Sequence, residues 1–462
     1  MRTLFDAQRK AFAAEPMPSL AVRKDRLSRL LDLLETESDA LLRALDQDFA
    51  GRSTTESTLV ELFPSIEAVR YARRHVKAWM KPERRGVSLW FQPGRAQIRY
   101  QPLGVAGIVV PWNYPLFLAV GPLSAALAAG NRAMVKMSEY APAFAQVFAA
   151  AVQRRFQPEE IAVIEGDADI GRQFSELPFD HLLFTGSTEV GRHVMRAAAG
   201  NLTPVTLELG GKSPTLIAPG YDVAAAARRI AFGKLVNAGQ TCIAPDYVLV
   251  PRDRMDAFVA AMAAASQALY GNGAGPDYGG IISQRHHARL TALVDDAVAQ
   301  GARAEPLLGT TRLEGRKFAP ILLTDVTDAM QVMREEIFGP VLPVVPYDTV
   351  DDAIAYVTDR PRPLALYIFD NDKARIERVL TQTHSGGVTV NDCLLQVAQD
   401  DLPFGGIGPS GMGAYHGPEG FKTFSHARAI FTQPRLNGFP LMYPPYGQRV
   451  RTLLTLMRRW GS

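Results

Sequence analysis

Cysteine is nearly absent from this chain: 462 residues contain two, Cys242 and Cys393. Two cysteines cannot build a disulfide framework at this size, and neither sits in a Cys-x-x-Cys or Cys/His cluster with metal-ligand spacing, so no metal site is expected. Charge of one sign is equally scarce. Fifty basic and 47 acidic side chains leave a net charge of +3, too little to gather nucleic acid or a membrane surface. A long apolar run free of helix breakers is also missing. The uncharged stretch 100–131 has the length to span a bilayer, but Pro102, Pro111, Pro115, Pro122 and Asn113 would interrupt a lipid-facing helix. The N-terminus lacks the apolar core and small-residue cleavage site of a signal peptide. A cytoplasmic enzyme with no nucleic-acid partner and no spanning segment is the expectation.

What is present is α/β patterning. Leu27, Leu30, Leu31, Leu34, Leu41, Leu42 and Leu45 recur at helical spacing, predicting amphipathic helices at the start. From Val105 the pattern changes to short apolar runs, 105–110, 133–136, 162–164 and 182–185, separated by Ala-rich segments, as in buried parallel strands alternating with helices. A second series follows Gly210-Gly211, at 214–217, 247–250, 321–323, 341–345 and 364–369. The fold class predicted is α/β: two Rossmann-like lobes with a small bridging β element. The expected boundaries are a first lobe over 1–78 and 98–209, a second over 210–390, bridging segments 79–97 and 391–432, and a tail over 433–462.

Several runs can carry chemistry. Cys242 follows Gly239-Gln240-Thr241, and a cysteine nucleophile needs access and a route to thiolate; alone, Cys242 reads equally as an inert buried cysteine. Glu208 lies between apolar residues beside Gly210-Gly211, where burial would raise its pKa toward the range of a general base; a carboxylate satisfied by backbone is the plainer reading. In Pro111-Trp112-Asn113-Tyr114-Pro115 two prolines fix a loop whose Asn113 amide suits a developing oxyanion or, more simply, caps the loop. Phe184-Thr185-Gly186-Ser187-Thr188-Glu189-Val190-Gly191 has the strand, tight turn and helix start that present N–H groups to a phosphate, without the second glycine of the dinucleotide fingerprint. Lys136 and Glu139 follow another strand end and could hold a ribose diol or be surface charges. In Glu335-Glu336-Ile337-Phe338 only one acid can share the aromatic's direction. The glycine-dense run 403–413 predicts a shaped loop.

In this order the motifs Pro-Trp-Asn-Tyr-Pro (111–115), Phe-Thr-Gly-Ser-Thr (184–188), Glu-Leu-Gly-Gly-Lys (208–212), Gly-Gln-Thr-Cys (239–242), Glu-Ile-Phe-Gly-Pro (336–340) and the glycine loop from 403 resemble the aldehyde dehydrogenase superfamily. Cys242 to Tyr247 and Tyr443-Pro444-Pro445-Tyr446 resemble its class 3-like branch, and the stretch 394–401 is similar to bacterial coniferyl aldehyde dehydrogenases. The resemblance implies Cys242 as nucleophile, Asn113 with the Cys242 N–H as oxyanion donors, and Glu208 as the base that hydrolyses a thioester. It implies NAD, with NADP possible: Lys136 and Glu139 on the adenosine ribose, Gly186, Ser187 and Gly191 at the diphosphate, and Trp112, Glu336 and Phe338 at the nicotinamide end. An acid at Glu139 would repel a 2′-phosphate, which favours NAD. Tyr114, Phe117, Leu118, Leu395 and Val397 would line the aldehyde pocket, suiting coniferyl or another aromatic aldehyde, or alternatively a medium- or long-chain aliphatic one. A homodimer is implied as well. The tail has Arg435, Arg449, Arg451, Arg458 and Arg459 and no acid; it is expected to pack on the dimer partner, with a peripheral amphipathic helix as the other reading.

Overall fold

The computed structural model describes residues 1–460. Its first large sheet has six strands in the order Gly411–Met412, Val205–Glu208, His181–Thr185, Val105–Val109, Arg132–Lys136 and Ile161–Ile164. All neighbours are parallel except the antiparallel pair at Gly411–Met412. The earliest strand, Val105–Val109, lies between Arg132–Lys136 and His181–Thr185, so the crossovers leave it in opposite directions and a crevice opens beyond the carboxyl ends. Trp112 and Asn113, Met137 to Glu139, and Gly186 all follow those ends. The helix Phe117–Ala129 is buried at every position, consistent with its uniformly apolar sequence.

The second sheet has seven strands in the order Arg303–Pro306, Ile321–Thr324, Val341–Tyr347, Tyr247–Pro251, Pro214–Ile217, Ala365–Phe369 and Gly387–Val390. Only its Arg303–Pro306 edge is antiparallel. Its core strands are buried on both faces, which explains the continuous apolar runs in place of alternation. Gly210 to Ser213, Cys242 and Glu336 to Phe338 all precede the amino ends of three adjacent strands of this sheet. The site therefore forms where the carboxyl ends of one sheet meet the amino ends of the other, and Glu208 closes the last parallel strand of the first.

A third, three-stranded antiparallel sheet joins Glu83–Arg85, Arg95–Pro102 and Ser425–Thr432. Its middle strand runs to Pro102, five residues past the expected boundary at 97. The expected bridging segment 391–432 needs a larger correction. Only its last strand joins this sheet, while Gly411–Met412 pairs with Leu207 and Glu208. The glycine loop makes that approach possible: any side chain on Gly411, whose φ is 137°, would overlap the Leu207 carbonyl. The tail contains the helix Gln448–Trp460. No helix among the described residues is long and apolar enough to cross a membrane, and no group of three or more metal-ligating side chains gathers among them.

Candidate active site

Cys242 stands in a turn between the helix Val223–Leu235 and the strand Tyr247–Pro251. Asn237, Ala238 and Gly239 approach it in left-handed conformation, with φ of 51°, 50° and 76°. Two consecutive non-glycine residues in that region are costly and persist only where surrounding contacts hold them. The contacts are explicit. The Asn237 N–H donates to Glu56 Oε1 (3.1 Å), and its Nδ2 donates to the carbonyls of Asn113 (3.0 Å) and Gln240 (3.2 Å). Gln240 Nε2 donates to the carbonyls of Asn237 (2.9 Å) and Gly280 (3.1 Å), while its Oε1 accepts from the Ile282 N–H (2.9 Å). Gln240 is thus the internal brace of the turn. Gly239 is required because a side chain there would overlap the Gly339 carbonyl.

The Cys242 side chain is half-buried. Burial first, then the carboxyls of Glu336 and Glu208, pushes its thiol up to about 12, against the opposing pull of the Cys242 and Ile243 N–H groups. The thiol is stored neutral, with two backbone donors aimed at the charge that forms when it reacts. Asn113 is buried and donates one amide N–H to the Gln240 carbonyl (3.2 Å); its amide has a second N–H to offer. Glu208 is 2% exposed, neither carboxyl oxygen has a hydrogen-bond partner in the chain, and burial pushes its pKa well above the ordinary value. A buried acid without a partner is the environment of a group that takes or holds a proton.

The residues expected at a dinucleotide gather on the crevice. Lys136, buried at its strand end, donates to the carbonyls of Met137 (2.6 Å) and Gly166 (2.7 Å); burial lowers its pKa and the charge of Glu139 opposes this. Glu139 is exposed beside it. Ser187 caps the helix Thr188–Ala199 by accepting from the Val190 N–H (3.4 Å), leaving a helix N-terminus after Gly186 for a phosphate. Gly191 lets this helix lie against Leu209, whose Cδ2 would be 2.7 Å from any Cβ there. Trp112 meets the Phe338 ring edge to face at 5.3 Å, and Phe338 has φ 53°. Glu336 packs directly on Gly210, accepts from the Gly211 N–H and keeps Oε1 without a partner. Burial first, then the Asp246 charge, pushes Glu336 up to about 8. A capped helix end, a lysine beside an exposed acid, and a partnerless carboxyl oxygen near an aromatic edge fit a dinucleotide.

Tyr114, Phe117 and Leu118 are buried in one apolar cluster with Phe404, and Cys242, Trp112 and Val397 pack against it. The Tyr114 hydroxyl shares a 2.5 Å hydrogen bond with Thr241 Oγ1, next to the thiol. Leu395 does not join: it is 50% exposed and lies outside the cluster. The reason is local. Residues 395–398 form a short 3-10 turn whose inward position is taken by Gln396, so Leu395 faces solvent. His416 is buried with neither ring nitrogen partnered and stacks on Phe404; it makes no pair with the thiol.

Two groups of residues near the site had no role assigned from the sequence, although Lys212 and Asp246 lie within the motif runs 208–212 and 242–247. Asp246 accepts from the Ile337 N–H (3.0 Å) and from Lys212, which also donates to the carbonyls of Val332 (2.8 Å) and Glu335 (3.0 Å). This ties the Glu336–Phe338 turn to the Cys242 loop and to Gly210-Gly211. Arg52 arrives from the loop between the helices Ser38–Asp48 and Thr54–Ser57, and Glu56 and Glu61 from the helical segment that follows, where charged residues usually form the solvated face.

The model of the aldehyde dehydrogenase family matches residues 2–430. The chain is 54% identical over 455 residues to a probable coniferyl aldehyde dehydrogenase of Pseudomonas aeruginosa, covering 98% of this chain and 95% of that protein. It is 44% identical over 463 residues to the coniferyl aldehyde dehydrogenase of Pseudomonas sp. strain HR199, covering 98% and 95%. The solved substrate-bound state of Staphylococcus aureus AldH superposes with a TM-score of 0.93 at 36% identity, over 99% of each chain. With the family model matched over residues 2–430 and these relatives covered over nearly their whole length, the chain belongs to the aldehyde dehydrogenase family and oxidises aldehydes to carboxylic acids with NAD(P).

Proposed function

We propose that Cys242 is the nucleophile, Asn113 and the Cys242 N–H the oxyanion donors, and Glu208 the base of hydrolysis, acting on coniferyl aldehyde or a related aromatic aldehyde. The observation that carries this reading is the partnerless, buried carboxyl of Glu208, close enough for its charge to help raise the pKa of the Cys242 thiol. The thiol of half-buried Cys242 gives its proton to solvent as sulfur adds to the aldehyde carbon, and the carbonyl π electrons move to oxygen, where the free Asn113 N–H and the Cys242 N–H hold the charge. NAD(P) held by Trp112, Glu336 and Phe338 at its nicotinamide end would supply the hydride acceptor for oxidation to the thioester. Glu208 then takes a proton from a water that attacks the thioester carbon, the carbon–sulfur bond breaks, that proton passes on to the leaving sulfur to restore the thiol, and the carboxylic acid departs.

The cofactor roles proposed are Lys136 and Glu139 on the adenosine ribose, Gly186, Ser187 and Gly191 at the diphosphate, and Trp112, Glu336 and Phe338 at the nicotinamide end. On this reading 1–78 and 98–209 bind the dinucleotide and 210–390 carry the catalytic cysteine. Glu336 has a direct test. A methyl group on Gly210 would occupy the space of its carboxylate, so Gly210→Ala is expected to weaken NAD binding by about tenfold, about 1.4 kcal/mol, with the thermal midpoint little changed. Titration of cofactor fluorescence measures this, and unchanged affinity would remove Glu336 from the ribose.

The coniferyl reading is supported by the names of the two bacterial relatives and by the aromatic wall of Tyr114, Phe117 and Phe404. NADH formation with coniferaldehyde, benzaldehyde, hexanal and decanal, NADP run in parallel, tests it. Coniferaldehyde with NAD is expected to lead in kcat/KM by about tenfold or more; decanal in first place would make this an aliphatic aldehyde enzyme. A homodimer in the cytoplasm is proposed, with the exposed outer strand Ser425–Thr432 and the apolar side chains of the tail, Leu436 at 89% and Leu441 at 63% exposure, as its contact surface.

A further inference from the structure

Arg52 has no exposed surface, and neither has Glu61. Arg52 Nη1 donates to Glu61 Oε1 (2.7 Å) and to the backbone carbonyl of Asn113 (3.3 Å), and its Nε lies 3.5 Å from Glu56 Oε1. The guanidinium sits over the rings of Phe49 (4.8 Å) and Tyr114 (5.0 Å). Each glutamate has a second task. Glu61 Oε2 accepts from the Leu116 N–H (2.7 Å) and the Phe117 N–H (3.2 Å), anchoring the start of the helix Phe117–Ala129. Glu56 Oε1 accepts from the Asn237 N–H, the first of the left-handed residues before Cys242.

A buried arginine with two glutamates is a poor device for stability, because removing three charges from water costs as much as or more than their attraction returns. What this cluster does geometrically is specific. The Asn113 carbonyl is fixed by Arg52 and Asn237, the Asn113 amide by Gln240, and the residues that follow Asn113 by Glu61. The Cys242 turn is fixed by Glu56 through Asn237. One guanidinium therefore spans the two loops whose relative placement sets the distance from sulfur to oxyanion donor. Glu61 reaches the Leu116 and Phe117 N–H groups from a single π-helical turn, Thr58–Leu62, the kind of local widening that recurs at functional sites.

We propose that Arg52 is a positioning residue for the reaction, holding the Asn113 amide in register with the Cys242 turn through Glu61 and Glu56. The proposal rests on the reading of Asn113 as an oxyanion donor, and a double-mutant cycle separates the two. Arg52→Lys keeps the charge but not the fork, since one ammonium cannot reach Glu61, Glu56 and the Asn113 carbonyl together. In the first turnover of NADH formation, Arg52→Lys is expected to be slower on the order of a hundredfold, and Asn113→Ala slower by about 10²–10³-fold. The double variant is expected to fall no more than about threefold below Asn113→Ala, and NAD affinity to stay within about twofold in all three. A folded Arg52→Lys enzyme at full speed, or losses that multiply in the double variant, would overturn the positioning role. Asn113→Ala at wild-type speed would remove the oxyanion reading and this proposal with it. Should Arg52→Lys yield no folded protein, Glu61→Gln, which keeps the volume and removes one charge, takes its place in the cycle under the same criteria.

Discussion

Changing Cys242 to alanine is expected to lower aldehyde oxidation by at least about 10⁴-fold while NAD binds as before. The size of the effect follows from the chemistry. An aldehyde gives up hydride only after a nucleophile has made its carbon tetrahedral, and no other thiol is available: Cys393 is 2% exposed and its own pKa is pushed well above the ordinary value by burial. The fold should survive, because the turn is braced by Gln240 and Asn237 and not by the sulfur. Steady-state NADH formation, cofactor titration and a thermal melt together separate lost chemistry from lost structure. The thiol's stored neutrality adds a sign: alkylation of wild-type Cys242 by iodoacetamide in the free enzyme should be slow at neutral pH and rise as pH climbs toward about 12. Retained turnover in the alanine variant would exclude covalent catalysis at this residue.

Glu208→Gln carries the second large effect. Steady-state turnover is expected to fall by about 10²–10⁴-fold, while the first enzyme equivalent of NADH forms at close to the wild-type rate. The separation follows from the proposed role of Glu208, which acts on water after hydride has left. Its carboxyl is held well above its ordinary value, so the wild-type rate should rise as pH climbs through that raised pKa, and the glutamine variant should lose this limb. Stability moves the other way. The folded state keeps the proton that the unfolded chain releases near about 4.3, so Glu208 costs stability increasingly as pH rises from that value toward its folded pKa. The glutamine variant escapes this cost and should melt higher than wild type in alkaline buffer. If the first turnover slows as much as steady state, Glu208 acts before the thioester and not upon it.

Much of this was legible in the chain, for physical reasons. Buried parallel strands must be continuously apolar, so 133–136, 182–185 and 364–369 announced themselves, and short motifs at strand ends marked the crevice before any geometry was known. Gly239 and Gly210 were visible as glycines, but only the fold shows that one makes room for the Gly339 carbonyl and the other for the Glu336 carboxylate. Leu395 was expected in the pocket from the family resemblance; a 3-10 turn put Gln396 inward instead. The glycine loop read as part of a bridge, yet Gly411–Met412 adds an edge to the first sheet. Arg52 and Glu61 were silent because a buried ion pair and a solvated one look alike in sequence, and what distinguishes them is a loop that brings Arg52 onto the Asn113 carbonyl from 61 residues away in the chain.

The central claim is that the acyl group passes through Cys242 and waits there for Glu208. Its most direct measurement is mass spectrometry of Glu208→Gln enzyme quenched in acid after mixing with NAD and coniferaldehyde, followed by peptide mapping. The account predicts a stoichiometric acyl adduct on the peptide containing Cys242, absent without NAD and absent from the Cys242→Ala/Glu208→Gln double variant. An unmodified Cys242 peptide after a full first turnover of NADH, or an adduct on Cys393, would contradict it.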